Sequence, residues 1–407
     1  MIFHISDLPC YNKTIKAREV LIMNDFLYYC PVRVHFGTNI LQKALPMELP
    51  HMGKNVMLAY GGGSVKRSGL YDTLVLALEQ AGKKVIDFGG IMSNPTYAKV
   101  LEGVEVVKQE KVDFILAVGG GSVMDCAKVI AAAAKAPKDL WEMVTVDHKL
   151  QMEGIPWGAV VTLSGTGSEM DNGAGITNEA LKRKGNLPGT YAEFAILDPS
   201  FLLTVPRKQL MACAFDNLSH CMETYFGRGT GVMDRMNEAL MHDIVENIRA
   251  YLKDPSNLEI LGNLMWDSSL VQTFLFNMGK PGDFQCHAIE HQICAYTNCN
   301  HGMTLAVIHP SYYRHIVYDA PEKFARFGKA VFDLDPAGKT ETELALEAIE
   351  TLADFIKEIG LDSTLTGEGL DINEEILHKV ADTCGLSGGN VRKLEREEVF
   401  ELLKEVL

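Results

Sequence analysis

Two kinds of hydrophobic pattern divide this chain. In the first half, apolar residues come in short runs that stop at glycine. Beyond Pro206 they recur every three or four residues over long stretches. Val32–Gly37 alternates, while Lys54–Tyr60, Lys84–Phe88, Val112–Val118 and Gly158–Leu163 are compact apolar runs of strand length. Between them, Ser68–Gln80, Tyr97–Glu110 and Cys126–Lys135 carry helical spacing. Strand and helix alternating at these intervals predict βαβ units and a parallel sheet. Gly175–Asp198 reads as irregular.

In the second half, Gln209–Phe226, Val232–Leu252, Leu258–Asn277, Pro321–Ala330, Glu341–Ile359, Glu374–Cys384 and Leu394–Leu407 read as helices. Leu361–Leu370 reads as a loop, and Trp266, Phe274 and Phe276 are assigned to the core. A single core stops growing near ~250–300 residues. The expected organisation is therefore an extension over 1–22, an α/β domain over 23–203 and an all-α domain over 204–407.

A formal charge of −15 excludes nucleic acid or an anionic membrane as the main partner. No apolar run reaches the ~18 residues of a membrane span. Residues 1–22 lack a signal peptide's apolar core, interrupted as they are by His4, Asp7, Asn12 and Lys13. The nine cysteines are odd in number and include no CxxC pair, which reads as free thiols in a reducing cytoplasm.

Glycine-rich turns follow three of the strands: Gly61-Gly62-Gly63-Ser64, then Gly119-Gly120-Gly121-Ser122 with Asp125 beyond it, then Ser164-Gly165-Thr166-Gly167-Ser168 after Thr162 and Leu163. Open α/β sheets bind ligands at such strand ends, where glycine lets backbone approach a pyrophosphate and helix N-termini meet its oxygens. None is a GxGxxG fingerprint. The first turn has no acid for a ribose 2′-hydroxyl but offers Ser64, Lys66 and Arg67, which suits a 2′-phosphate and favours NADP over NAD. Lys184 reads on base rates as an exposed loop cation.

Five residues carry the remaining chemistry. Asp216 and His220 are four apart in one helical stretch, His287 and His291 four apart in another, and His301 precedes Gly302. A four-residue step puts both side chains on one helical face. One carboxylate with three imidazoles would surround a divalent ion such as Fe(II) or Zn(II), leaving a position for a substrate oxygen.

These motifs together resemble the iron-containing (group III) alcohol dehydrogenases, in the branch of the butanol dehydrogenases and NADPH-dependent aldehyde reductases. The carriers are Tyr60–Lys66, Phe88-Gly-Gly90 with Asn94-Pro95, Ala117–Asp125, Thr166–Glu169, Ile196–Pro199, Asp216 with His220, His287 with His291, and His301-Gly302. The resemblance runs from about Met23 to the C-terminus. It implies a Rossmann-like dinucleotide-binding domain, a helical domain of dehydroquinate synthase-like architecture and a site in the cleft between them. By matching position, it implies metal ligation by Asp216, His220, His287 and His301. Cofactor contacts would come from Gly61–Ser64, Asn94, Gly119–Ser122, Asp125, Thr162, Leu163, Thr166, Ser168 and a lysine at or near Lys184. It further implies a homodimer and hydride transfer between NADP(H) and a small alcohol or aldehyde. His291 is the candidate proton relay, its bland alternative being to orient a metal ligand. Two other readings stand beside it: a metal-dependent lyase or cyclase of the dehydroquinate synthase-like type, and a nucleotide-binding sensor with a structural metal.

Overall fold

The computed structural model describes residues 25–151, 153–227, 231–386 and 388–407. The extension expected over 1–22 lies outside them, as does Cys10. The short apolar runs are strands β1 (Arg33–Phe36), β2 (Asn55–Tyr60), β3 (Lys84–Phe88), β4 (Phe114–Gly119) and β5 (Trp157–Val161). β6 (Gly175–Asn178) and β7 (Arg183–Asn186) form an antiparallel hairpin, and β8 (Phe194–Leu197) follows. The main sheet has the order β1-β8-β5-β4-β2-β3 and is parallel throughout.

A strand points successive side chains to opposite faces. One face of the sheet therefore buries Val56, Leu58, Phe114, Leu116, Phe194 and Ile196 against helices 41–48 and 70–80. The other buries Met57, Ala59, Ile115, Ala117, Trp157 and Ala195 against helices 97–110 and 121–133. β4, β5 and β8 are buried along their whole length, which explains their near-continuous apolar sequence.

Two expectations are corrected here. Gly175–Asp198 is not irregular: it holds the hairpin and β8, which sits between β1 and β5 inside the sheet. Four-residue strands between glycine, proline and charge leave too short a run for a period to show. Trp266 is not core; it is 39% exposed and meets the ring of Phe36 edge-on.

From Arg207 onward the described regular structure is helical. Helices 207–225, 232–253, 258–271, 285–297, 301–316, 321–332, 341–358, 374–383 and 396–405 pack around Phe226, Tyr312, Phe324, Phe327 and Phe355. Among the described residues no helix is long and apolar enough to cross a membrane.

Candidate active site

Three helices place the five residues. Helix 207–225 carries Asp216 and His220, helix 285–297 carries His287 and His291, and helix 301–316 begins at His301. Close packing brings the first and third together: a Cβ on Gly302 would lie 2.1 Å from the carbonyl oxygen of Ala212. Phe284 and Asn298 bracket the middle helix in left-handed conformation (φ 53° and 54°), and Asn300 caps the next by accepting from Met303 N–H.

Asp216 Oδ1 is the point of convergence. It lies 3.6 Å from His287 Nε2, 3.5 Å from His301 Nε2 and 3.2 Å from His220 Nδ1. The rings of His220 and His287 are 4.4 Å apart. His291 stands farther out, 6.2 Å from the His287 ring and 5.8 Å from that of His301.

The outer nitrogens of these rings are all spoken for. His220 Nδ1 donates to the Asp216 carbonyl at 2.8 Å. His287 Nδ1 meets Glu223 Oε2. His301 Nδ1 lies 2.7 Å from Glu290 Oε2, at an angle short of a full hydrogen bond. Two lone pairs would repel at such distances, so these Nδ1 atoms carry the protons and the lone pairs fall on Nε2. Such partners fix tautomer and ring orientation in metal sites.

The buried charge is lopsided towards carboxylate. Burial alone would raise Asp216, Glu223 and Glu290, yet the imidazoles beside them outweigh it. Asp216 is held well below the ordinary carboxylate range, Glu223 below it, and Glu290 falls to about 2, with Lys184 assisting. Burial disfavours the imidazolium of His287, but Glu223 and Asp216 lift it to about 10, so a bound cation would take the place of the Nε2 proton. His291 moves the other way, well down, through burial and the nearby Lys184.

A divalent cation fits this donor set. Asp216 Oδ1 and His287 Nε2 are buried and otherwise without a hydrogen-bond partner. Ligand atoms ~2.1 Å from one tetrahedral ion are about 3.4 Å apart, close to the separations of His287 Nε2 and His301 Nε2 from Asp216 Oδ1; these three atoms fall together, while His220 turns Nδ1 to the carboxylate.

The glycine turns line the adjoining strand ends. Gly90 N–H donates to Gly61 O at 2.9 Å, and Thr162 N–H to Gly119 O at 2.9 Å. Gly62, Gly63 and Ser64 are exposed, and helix 121–133 opens directly at Gly121. Gly120 faces Leu163 and Gly121 faces Thr166, each too closely for a Cβ to fit freely. Gly165 abuts Cys213 of helix 207–225, so the third turn rests on the helix that carries Asp216. Ser122 donates to the Ser93 carbonyl. Asp125 serves as a latch, accepting from Ser168 Oγ at 2.5 Å and Gly175 N–H at 2.8 Å.

Lys184 corrects the base-rate expectation of an exposed cation. It lies in β7 with its side chain 6% exposed, donating to Asn94 Oδ1 at 3.2 Å and standing 3.6 Å from Glu290. Asn94 in turn donates to Asn298 Oδ1 and Cys299 O, both at 2.9 Å. The free-thiol expectation holds for Cys30, Cys126, Cys213, Cys221, Cys286 and Cys384 and fails for one pair, because a disulfide joins Cys294 and Cys299. The left-handed turn at Asn298 folds the helix end back and sets their Cα atoms 4.8 Å apart. A five-residue spacing carries no such signal in sequence.

Sequence reasoning missed Glu223, Glu290 and Asp87. The first two follow the ligand-spaced residues at helical intervals, and that periodicity was the available signal. Asp87 sits on β3, where its carboxylate accepts from Tyr60 (2.9 Å) and Tyr71 (2.6 Å) and lies 3.9 Å from Lys66 Nζ. Pairing of β2 with β3 brings it beside the first glycine turn, which linear reading of that turn does not reveal.

Comparison with known proteins gives the family. A model described as iron-containing alcohol dehydrogenase matches residues 31–199, and one described as Fe-containing alcohol dehydrogenase family, C-terminal, matches residues 210–407. The chain belongs to the iron-containing alcohol dehydrogenase family. It is a nicotinamide-dependent alcohol dehydrogenase. It is 38% identical to the probable NADH-dependent butanol dehydrogenase 1 of Bacillus subtilis, covering 95% of this chain and all of that protein. It is 32% identical to the NADPH-dependent aldehyde reductase of Escherichia coli, covering 86% of this chain and 90% of that one. A crystal structure titled NADH-dependent butanol dehydrogenase A from Thermotoga maritima superposes with a TM-score of 0.88 at 32% identity, covering 94% and 99% of the two chains.

Proposed function

We propose that this enzyme transfers hydride between NADP(H) and a small primary alcohol or aldehyde of butanol or butanal type, with one divalent metal, Fe(II) or Zn(II), held by Asp216, His220, His287 and His301. The observation that carries the reading is the convergence of His287 Nε2 and His301 Nε2 on Asp216 Oδ1, with each Nδ1 turned outward to an acceptor. When bound, the metal supplies Lewis acidity towards the carbonyl oxygen.

The chain's own residues do the rest. Gly61–Ser64, Gly119–Ser122 and the Thr162–Ser168 turn receive the cofactor at the strand ends, with Asn94, Asp125 and Lys184 shaping its inner end. Glu223 and Glu290 keep the Nε2 lone pairs of His287 and His301 aimed inward. His291, partly open to solvent and not part of the convergent set, moves a proton at its imidazole between the substrate oxygen and water. Its depressed basicity keeps it neutral between turnovers, so a proton taken up in the oxidative direction passes on readily to water.

The NADP preference is supported by Ser64, Lys66 and Arg67 in the first turn, with Lys66 lying over the rings of Tyr60 and Tyr71. A homodimer and a cytoplasmic setting belong to the same proposal; size-exclusion chromatography tests the first and cell fractionation the second. The central test follows NADPH absorbance with butanal as substrate. Oxidation should stop on chelation and return with Fe(II) or Zn(II). Cofactor binding without turnover, across a panel of aldehydes, would overturn the proposal.

A further inference from the structure

Glu290 is buried completely, on the turn of helix 285–297 between His287 and His291. Its two oxygens face different parts of the site. Oε2 is 2.7 Å from His301 Nδ1. Oε1 is 3.6 Å from Lys184 Nζ, which donates to Asn94. Asn94 closes the circuit by donating to the backbone at Cys299, two residues before His301. One carboxylate thus touches the imidazole at the start of helix 301–316 and the cation of the β6–β7 hairpin. No other described carboxylate is paired with both.

We propose that Glu290 is a positioning residue that serves both ligands of the enzyme: it orients His301 towards the metal and holds Lys184 at the cofactor. The proposal rests on the metal-dependent hydride-transfer reading above. Its physical content is that a carboxylate at His301 Nδ1 keeps the lone pair on Nε2 and strengthens it as a donor. The same charge anchors a buried ammonium that pairs with no other carboxylate among the described residues; burial makes such a charge costly to leave unpaired. A merely structural knot between hairpin and helices would change melting temperature alone.

The test uses the full-length protein and Glu290→Gln, which keeps the volume and removes the charge. Zinc affinity is read by competition with a coloured chelator, without substrate. The KM for NADPH and kcat are read at saturating zinc. Zinc affinity should fall by ~10- to 100-fold, and the KM for NADPH should rise several-fold while kcat changes less. Lys184→Met should raise the KM for NADPH and leave zinc affinity unchanged. An unchanged zinc affinity in Glu290→Gln overturns the proposal, as does a loss in Lys184→Met equal to that in Glu290→Gln. Should Glu290→Gln fail to fold, Glu290→Asp decides: the charge stays but the reach shortens, so unaltered zinc affinity with unaltered KM overturns it. A wild type that binds zinc but oxidises no NADPH sinks the parent reading alone, because the zinc competition still judges Glu290.

Discussion

Glu223 holds His287 at two points and its neighbour Cys286 at a third. One carboxylate oxygen meets the ring Nδ1, and the other accepts the backbone N–H groups of Cys286 (2.7 Å) and His287 (3.2 Å). The acid comes from helix 207–225 and the imidazole from helix 285–297, so the pair fixes both the ring and the entry of its helix. Glu223→Gln keeps the volume but loses the charge that orients Nδ1–H. Metal affinity should drop by ~10- to 100-fold with the fold retained. Chelator competition checks the first, and circular dichroism the second.

His287 and His291 sit one turn apart and should fail differently. His287→Ala removes an inward Nε2 and should abolish metal retention and turnover together. His291→Ala should leave metal content intact and lower kcat by ~10²-fold or more, the usual scale of general acid–base assistance. Metal analysis beside steady-state rates separates the two. Loss of metal in His291→Ala would show that it is a ligand or supports one, and the relay assignment would fall.

Asp267, on helix 258–271, predicts a pH effect on stability. Burial and the nearby Asp243 raise its pKa from 3.8 to about 8, with Asn247 opposing through a contact at 3.4 Å. The folded chain therefore holds this proton more tightly than the unfolded one. Stability from this group declines as pH rises from about 4 towards 8, and the full penalty remains above that. Asp267→Asn removes the penalty. Its melting temperature should exceed the wild type's by a few degrees near pH 9, with a smaller gain near pH 5. Equal gains at both values would contradict the assignment.

The proposed NADP preference sets a test at Asp87 and Lys66. The carboxylate stands 3.9 Å from the ammonium and competes with any phosphate for it. Asp87→Asn should raise the ratio of kcat/KM for NADPH over NADH, and Lys66→Ala should lower it, each by several-fold, the modest scale of an exposed charge interaction. Initial rates with both cofactors are the measurement. A ratio unmoved by Lys66→Ala would remove that residue from the cofactor pocket.

The fold class was legible because β2, β4 and β5 are almost wholly apolar and each runs towards a glycine-rich turn, as expected of a sheet buried on both faces. β8 was not legible, because four residues carry no period. The pairs Asp216 with His220 and His287 with His291 could be read because a helix repeats nearly every four residues. Their convergence on one ion is an expectation the motifs already raise, but the contact behind it, Gly302 against Ala212, shows only in the fold. Glu223 and Glu290 were overlooked for the opposite reason: an acid among helix formers looks like solvated surface until burial is known. The same ignorance of burial made Lys184 look exposed and Trp266 look internal.

Gly302 gives one last consequence. Its missing side chain is what allows the Ala212 carbonyl to approach, so selection at position 302 acts on volume and is indifferent to polarity. A saturation library there should return glycine alone among active clones. Even alanine, the residue usually chosen to stiffen a helix, would wedge apart the two segments that bring Asp216 and His301 face to face.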